Sequence, residues 1–330
     1  MRRRDFMKII GGAAAAWPSA ARAQQPNGVR RVGVSIGWNE DDPEAQAFLT
    51  AFVRRFRDLG WIEGQNVRFD YRWANGDINR MRMFAKELVN LQPDAILSVT
   101  TPTTAALQQE TRTVPIVFAV VSDPVGAGFV ASLARPNGNI TGFINVEASL
   151  GGKWLRLLKE IAPDLRLVAI MFNPDTAPGG GSYFLNSFQE AAQTLSVKPV
   201  VTPVRSDAEI EAAINSLGGQ QSGLVLMTDG FIQNHRRSII SSAARNKVPA
   251  IYAEAVSARE GGLLSYGANY RQMFGLAAGY VDRILRGATP IDLPVQIPTS
   301  FELVINMNAA KSLGIEVPLT LQAQADEVIE

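Results

Sequence analysis

The feature that most restricts this chain is an internal repetition of plan. Val67 to Trp73 reads as a strand, Asp77 opens a helix running to Asn90, and Ala95 to Val99 is a second strand. A polar turn and another helix follow, and Pro115-Ile116-Val117-Phe118 begins a third strand. The same order returns later: Pro199 to Val204, Asp207 and a helix to Leu217, Gly223 to Met227, a polar turn and helix, then Pro249-Ala250-Ile251-Tyr252. The spacings match although the identities do not. Strands separated by helices imply βαβ units and mostly parallel sheets, because parallel neighbours need a crossover long enough to hold a helix. Two copies of such a unit predict an α/β protein with two similar lobes; a single extended doubly wound sheet is the competing arrangement.

The remaining periodicities fit that plan. Arg31 to Ile36 is a short apolar run of the buried-strand type, and Ala47, Phe48, Ala51, Phe52 and Phe56 recur at helical spacing. Val67, Phe69, Tyr71 and Trp73 alternate with Arg68, Asp70 and Arg72, the period-two pattern of a half-exposed edge strand. Ile140 to Phe143 should close the first lobe, and Lys153 to Ile161 should be the first helix of the second. After the second copy come a long amphipathic helix, Tyr270 to Leu285, a proline-punctuated stretch to Pro298, a strand at Phe301 to Ile305 and a short helix from Asn308 to Leu313. These extra elements imply repeated crossing between lobes. The boundary between the lobes is expected near Ile144 to Gly152.

Residues 1–23 read as an export signal and not as part of the fold. Arg2, Arg3, Arg4 and Lys8 precede an apolar run from Ile9 to Ala16, and Ala21-Arg22-Ala23 has the small-x-small cleavage pattern. Arg3-Arg4-Asp5-Phe6-Met7-Lys8 resembles a twin-arginine export signal. Taking away the five basic groups and one acid of this segment leaves 27 basic and 30 acidic residues, a net charge of −3. That balance carries no basic nucleic-acid footprint. The apolar run is too short for a permanent span, and the chain has no cysteine to carry a lipid anchor. The expected product is a periplasmic protein beginning near Gln24, most simply a monomer.

Several chemistries lack their residues. There is no cysteine for a disulfide, a thiolate metal site or a nucleophile. The one histidine, His235, sits beside Arg236 and Arg237 at the start of an expected surface helix, and no His/Glu cluster has zinc spacing. The nucleophile elbow G-x-S-x-G does not occur. Gly151-Gly152-Lys153 is followed by Trp154 where a Walker motif needs Ser or Thr. Gly126-Ala127-Gly128-Phe129-Val130-Ala131 fits the dinucleotide pattern G-x-G-x-x-A, with Glu147 beyond it. However, Ser122-Asp123-Pro124-Val125 separates it from the strand, and a short helix ending before Pro136 explains the small residues equally well. No cofactor or metal is expected.

Binding residues should gather at the carboxyl ends of the strands, where parallel α/β sheets hold their ligands. In the first lobe these positions are Ser35, Gly37 and Trp38, then Thr100 and Thr101 opening a helix, then Ser122 and Asp123. Free N–H groups at a helix start, together with hydroxyls, suit a carboxylate. Asp123 could meet an ammonium. In the second lobe they are Phe172 and Asn173, Asp229, Tyr252 and Glu254, and Tyr266, with Gly179-Gly180-Gly181-Ser182 as a loop beside the cleft. Trp38, Phe172, Tyr252 and Tyr266 together suit a small aromatic or amphiphilic solute. For each residue taken singly, core packing or capping is the plain alternative.

These positions also carry a resemblance. Pro93-Asp94-Ala95-Ile96, Ser122-Asp123-Pro124-Val125, Ile140-Thr141-Gly142, Gly261 to Gly267 and Phe301 to Asn306, in that order, resemble the ABC-transporter substrate-binding family that contains tryptophan- and tyrosine-binding lipoproteins. The likeness runs from about Arg31 to the C-terminus. It implies the type I periplasmic binding protein architecture: two Rossmann-like lobes, three hinge crossings and a central ligand cleft, with the expected division 30–143 plus 269–298 and 144–268 plus 299–330, hinged near Ile144-Asn145, Ala268-Asn269 and Pro298-Thr299. It implies that Thr100 and Thr101 help hold a ligand's acidic end and that the Ser122-Asp123 turn meets an amino group. The missing lipoprotein cysteine and the twin-arginine-like signal depart from the lipoprotein members. The expected function is capture of an amino acid or aromatic carboxylate for an inner-membrane ABC permease, without chemistry on the ligand. The alternatives are a bilobed sensor for a membrane signalling protein and a two-lobed enzyme.

Overall fold

The computed structural model describes residues 28–330 apart from Val146, so residues 1–23, expected to be an export signal, lie outside the described residues. The first half alternates β1 (Arg30–Ile36), α1 (Pro43–Asp58), β2 (Val67–Trp73), α2 (Ile78–Asn90), β3 (Ala95–Val99), α3 (Thr101–Glu110), β4 (Ile116–Val121) and β5 (Ile140–Ile144). These strands form one five-stranded parallel sheet in the order β2-β1-β3-β4-β5. β3, β4 and β5 are buried along their whole length, as strands covered by helices on both faces must be. β2 is an edge strand, and its alternation of apolar and charged residues follows from that place.

The second half contains α4 (Leu150–Ile161), β6 (Leu167–Phe172), α5 (Ser182–Thr194), β7 (Lys198–Pro203), α6 (Asp207–Leu217), β8 (Ser222–Leu226), α7 (Gly230–Asn234), α8 (Arg236–Arg245), β9 (Ala250–Tyr252), α9 (Ala255–Arg259) and β10 (Leu264–Ala268). The chain then forms α10 (Tyr270–Leu285), β11 (Phe301–Asn306), α11 (Met307–Leu313), α12 (Leu319–Gln324) and β12 (Glu327–Ile329). The second sheet has seven strands in the order β12-β11-β10-β9-β8-β6-β7, parallel except for the β10–β11 pair. The molecule is therefore an α/β protein with two separate, parallel-dominated sheets. The competing single sheet does not form.

The chain passes between the sheets three times. It leaves the first after β5. It returns after β10, because α10 buries Tyr270, Phe274, Ala277, Ala278, Val281 and Leu285 against Phe48, Phe52 and the first sheet. Trp61 ties this helix down by donating Nε1–H to Asp282 at 2.8 Å. The proline-rich stretch then follows β5, with Gln296 N donating to Gly142 O at 2.9 Å and Ile144 N to Gln296 O at 3.0 Å. The third crossing leads into β11. It lies beside the second, with Asn269 N donating to Ser300 O at 3.1 Å.

Two local expectations need correction. Asp77 does cap α2, accepting from Asn79 N at 2.7 Å and Arg80 N at 3.1 Å. At the equivalent place in the second copy, however, Ser206 is the cap and Asp207 lies in the first turn. The segment 126–135 is a string of turns and not a short helix. Asp123 Oδ1 accepts from Gly126 N at 2.8 Å, and Pro124 O accepts from Phe129 N and Val130 N, which closes the backbone into a loop. The G-x-G-x-x-A match therefore lacks the helix start that a pyrophosphate would need.

Gly267, in β10 just ahead of the second crossing, lies so near Ala253 that a Cβ would stand 1.7 Å from the Ala253 carbonyl oxygen. Backbone on both sides leaves no cheap relief. Gly267→Ala should therefore destabilise the fold by about 1–3 kcal/mol or more, the range for overpacking. Thermal unfolding of the variant against the parent checks this.

Candidate ligand-binding cleft

The carboxyl ends of three strands in each sheet face one another across a narrow, nearly filled cavity. From the first sheet the wall takes Trp38 after β1, Thr100, Thr101 and Pro102 after β3, and Val120 and Ser122 at the end of β4. From the second it takes Thr176 and Pro178 after β6, Thr228, Asp229, Gly230 and Gln233 after β8, and Glu254 after β9.

The first-sheet wall is held under strain. Thr100 has φ +91° and Val120 has φ +59°, both in the left-handed region that β-branched residues avoid. Val120 is the extra residue of a bulge, where the β4–β5 register shifts between Ala119 and Val121. Gly37 makes room for Thr100, since a Cβ there would come within 2.6 Å of Thr100 Oγ1. Below this turn Ser98 Oγ lies 3.1 Å from Thr103 Oγ1 and 2.8 Å from Thr104 Oγ1, so those hydroxyls serve the protein's own network. Trp38 is almost wholly buried, with its ring stacked on Tyr270 at 6.3 Å and on Phe274 at 6.3 Å.

The second-sheet wall holds two acids in different states. Asp229 is a buried N-cap whose carboxylate accepts from Phe231 N at 2.8 Å, from Asn173 N at 2.5 Å and from the Thr176 hydroxyl. Burial pushes its pKa up to about 6, against the pull of the Thr176 and backbone donors. It knits the loops after β6 and β8 and has protein donors on both oxygens. Glu254 is pushed up to about 8, first by withdrawal from water. The Tyr270 hydroxyl and Arg236 lower it, and Asp229 raises it. At neutral pH Glu254 is thus mainly a neutral acid in contact with the cavity. One buried polar atom of the same wall, Gln233 Oε1, has no hydrogen-bond partner among the described residues, while the Thr228 hydroxyl lies near that of Tyr270. A bound solute is the natural source of a partner for Gln233.

A hydrogen-bond chain runs beneath the cavity from one sheet to the other. Ser122 Oγ donates to Asn145 Oδ1 at 3.1 Å, Asn145 Nδ2 donates to the Tyr270 hydroxyl at 3.0 Å, and that hydroxyl donates to Glu254 Oε1 at 3.4 Å. Asn145 lies in the first crossing and Tyr270 begins α10 just after the second. The cavity floor and two of the crossings are one buried network.

The residues expected from sequence divide accordingly. Trp38, Thr100, Thr101, Ser122, Asp229 and Glu254 come together in this wall. Ser35 and Gly37 lie behind it, packed within the first sheet. Asp123 is half-buried and turned onto Gly126 N; with Glu147 it still helps burial push the Tyr183 hydroxyl up to about 12. Phe172 is core, its ring filling the space where a Cβ on Gly181 would stand. Asn173 Oδ1 accepts from Asp175 N at 2.8 Å and closes the local turn. Tyr252 is buried against Gly262 in the second-sheet core. Tyr266 stacks on Phe301 at 5.7 Å, with the Lys153 ammonium 5.5 Å from its ring centre. Three of the four expected aromatic wall residues therefore lie outside this wall, and of the four only Trp38 touches the cavity. Val120, Thr176, Pro178, Gly230 and Gln233 are added by the structure. Asp229-Gly230 before a helix is a capping signal that could have pointed to this stretch; the bulge at Val120 has no sequence signature.

Residues 42–329 match the model of a family described as ABC transporter substrate binding protein, and the chain belongs to that family. It is similar to a tyrosine-binding protein of Clostridioides difficile, 26% identical over 87% of this chain and 82% of the relative. Among solved structures, a conserved domain protein from Vibrio cholerae is 28% identical with a TM-score of 0.85, covering 91% of this chain and all of that one. A ligand-free, open substrate-binding protein with adhesive properties from Clostridium difficile is 27% identical with a TM-score of 0.67 over 92% of this chain and 99% of that one. A Streptococcus pneumoniae domain in complex with L-Trp shares the fold, with a TM-score of 0.84 at 22% identity over 92% of this chain and 100% of that one. The relatives are solute-binding proteins, not enzymes, and the fold is that of type I periplasmic binding proteins.

The raised acids set a pH dependence of stability. Glu254 rises from 4.5 to about 8 and Asp229 from 3.8 to about 6 on folding, so the folded chain binds more protons than the unfolded one between those limits. Their stabilising contribution is full below about pH 4 and is lost as pH rises through about 6 and then about 8. The melting temperature should fall between about pH 4 and 8 and level off above that, and Glu254→Gln should flatten the part of that fall above about pH 6. Unfolding curves of both proteins across that range check it.

Proposed function

We propose that this protein is an exported receptor that captures a small aromatic amino acid between two hinged lobes and hands it to an inner-membrane ABC permease. The observation that carries this reading is the cavity built from the carboxyl ends of three strands in each sheet, with the chain crossing between the sheets three times. The lobes are residues 30–143 with 269–298 and 144–268 with 299–330, and the crossings are the hinges. The better superposition on the L-Trp complex than on the open, ligand-free relative supports reading the present arrangement as closed. Cleavage near Ala23 would release a periplasmic monomer; among the described residues no helix is long and apolar enough to cross a membrane.

The wall contains no Arg or Lys. A ligand carboxylate would therefore rely on Thr100, Thr101 and the free N–H groups at the start of α3. Glu254 is the acid best placed for an ammonium, since Asp229 already has protein donors and Asp123 lies outside this wall. Trp38 supplies the apolar face. An ammonium beside Glu254 would favour its ionised form, so binding an amino acid should release a proton near neutral pH.

Titration calorimetry of residues 24–330 against L-tryptophan, L-tyrosine, L-phenylalanine and 3-indolepropionate tests the reading. At least one amino acid should bind, and Glu254→Gln should weaken it at least about tenfold while changing binding of the amine-free acid little, as expected for loss of a charged hydrogen bond. Equal loss for both ligands would remove the role given to Glu254. No heat with any of the four would remove the aromatic amino-acid reading.

A further inference from the structure

Outside the cavity wall, a buried charge cluster joins the two halves of the molecule. Arg236, the first residue of α8, is 4% exposed, and Asp42, just ahead of α1, is 7% exposed. The guanidinium engages both Asp42 oxygens, with Nη2 3.2 Å from Oδ1 and Nη1 on Oδ2. Its other edge donates to Glu260, through Nε at 3.0 Å and Nη2 at 2.9 Å. Asp42 belongs to the segment that follows β1; Arg236 and Glu260 belong to the second-sheet half.

We propose that the Asp42–Arg236 pair is an affinity-setting latch, a contact made only when the lobes are drawn together and worth the same whatever solute fills the cleft. The proposal rests on the closing-receptor reading above. Three observations carry it. First, each partner keeps a protein contact if the pair separates. Arg236 retains Glu260 on its own side, and Asp42 retains its capping bonds from Glu44 N at 2.9 Å and Ala45 N at 3.3 Å. A buried ion pair whose rupture strands a charge resists opening strongly; here neither charge is stranded, so the contact can form and break. Second, the pair is tied to both walls of the cavity. Arg236 Nη1 also donates to the backbone carbonyl of Gln233 at 3.2 Å, and Asp42 closes the turn that begins beside Trp38, with its N–H on Asn39 O at 3.3 Å. Third, none of the three charged groups lines the cavity. A solute does not touch them, and Asp42 can act only through the balance of open and closed forms; Arg236 also lowers the pKa of Glu254, so Asp42→Asn is the variant that reads the latch alone.

An interaction confined to the closed form multiplies the closed population, and hence the apparent affinity for every solute, by one factor. Asp42 and Arg236 are thus positioning residues, not ligand contacts.

The test uses the mature chain with Asp42→Asn, which keeps a good N-cap residue while removing the charge. Affinities for L-tryptophan and L-tyrosine should both weaken by the same factor, about tenfold within the usual range of such couplings, leaving their ratio unchanged. Arg236→Gln should weaken both as well, and the double variant should be little worse than Arg236→Gln alone, as for partners in one contact. A second arm needs no ligand. Because the chain has no cysteine, spin labels at Lys86→Cys and Ala244→Cys, exposed positions on α2 and α8, report the distance between the lobes. Asp42→Asn should shift the ligand-free distribution toward the open form. An unshifted distribution, or an affinity loss confined to one amino acid, would overturn the latch. If neither amino acid binds, the receptor's ligand reading fails while the label distances still decide the latch.

Discussion

The hydroxyl of Tyr270 is the point on which the two halves of the molecule depend. It accepts from Asn145, the residue that leaves the first sheet, and donates to Glu254, which ends the strand at the centre of the second. Its ring lies in the first-sheet core against Trp38 and Phe48. A buried phenol with both hydrogen-bond roles filled is held in one geometry, because either partner would be left unsatisfied by a shift. The cavity floor, two crossings and the aromatic wall are therefore positioned together. Burial and the neighbouring Glu254 keep this phenol protonated by raising its pKa well above the ordinary value.

Around that fixed point the cleft combines strain with reserve. Thr100 and Val120 sit in backbone regions that cost energy, and such outliers gather where geometry serves binding. Asp229 uses its charge on loop donors, whereas Glu254 and Gln233, which line the cavity, keep hydrogen-bonding capacity. The wall thus separates groups that hold the loops from groups that remain for a solute. The same separation extends outward: Asp42 and Arg236 join the two halves without lining the cavity.

Much of this architecture was legible in the sequence, for physical reasons that particular elements make plain. The run Ala95 to Val99 has no polar face because β3 has none to show, and the alternation from Val67 to Trp73 marks β2 as an edge. The helix from Tyr270 to Leu285 was readable from its periodicity and from Arg286-Gly287. What failed depends on facts that local pattern does not encode. The turns at 126–135 come from Asp123 and Pro124 closing on residues a few places ahead, although the spacing of small residues also suits a helix. Strand-end position singled out Trp38, Thr100, Thr101, Ser122, Asp229 and Glu254, which do converge. It did not tell which face Phe172, Tyr252 and Tyr266 would present, because whether a strand-end side chain turns inward depends on the covering helices. Val120 and Gln233 entered through a bulge and a short helix that no motif announces.

The central claim is that the two lobes close on a solute held between them. Small-angle X-ray scattering of residues 24–330, with and without saturating L-tryptophan or L-tyrosine, tests it most directly. The account predicts a smaller radius of gyration with ligand and a scattering curve that then agrees with the present structure, the ligand-free protein being more open. Identical curves with and without a ligand shown to be bound would contradict it.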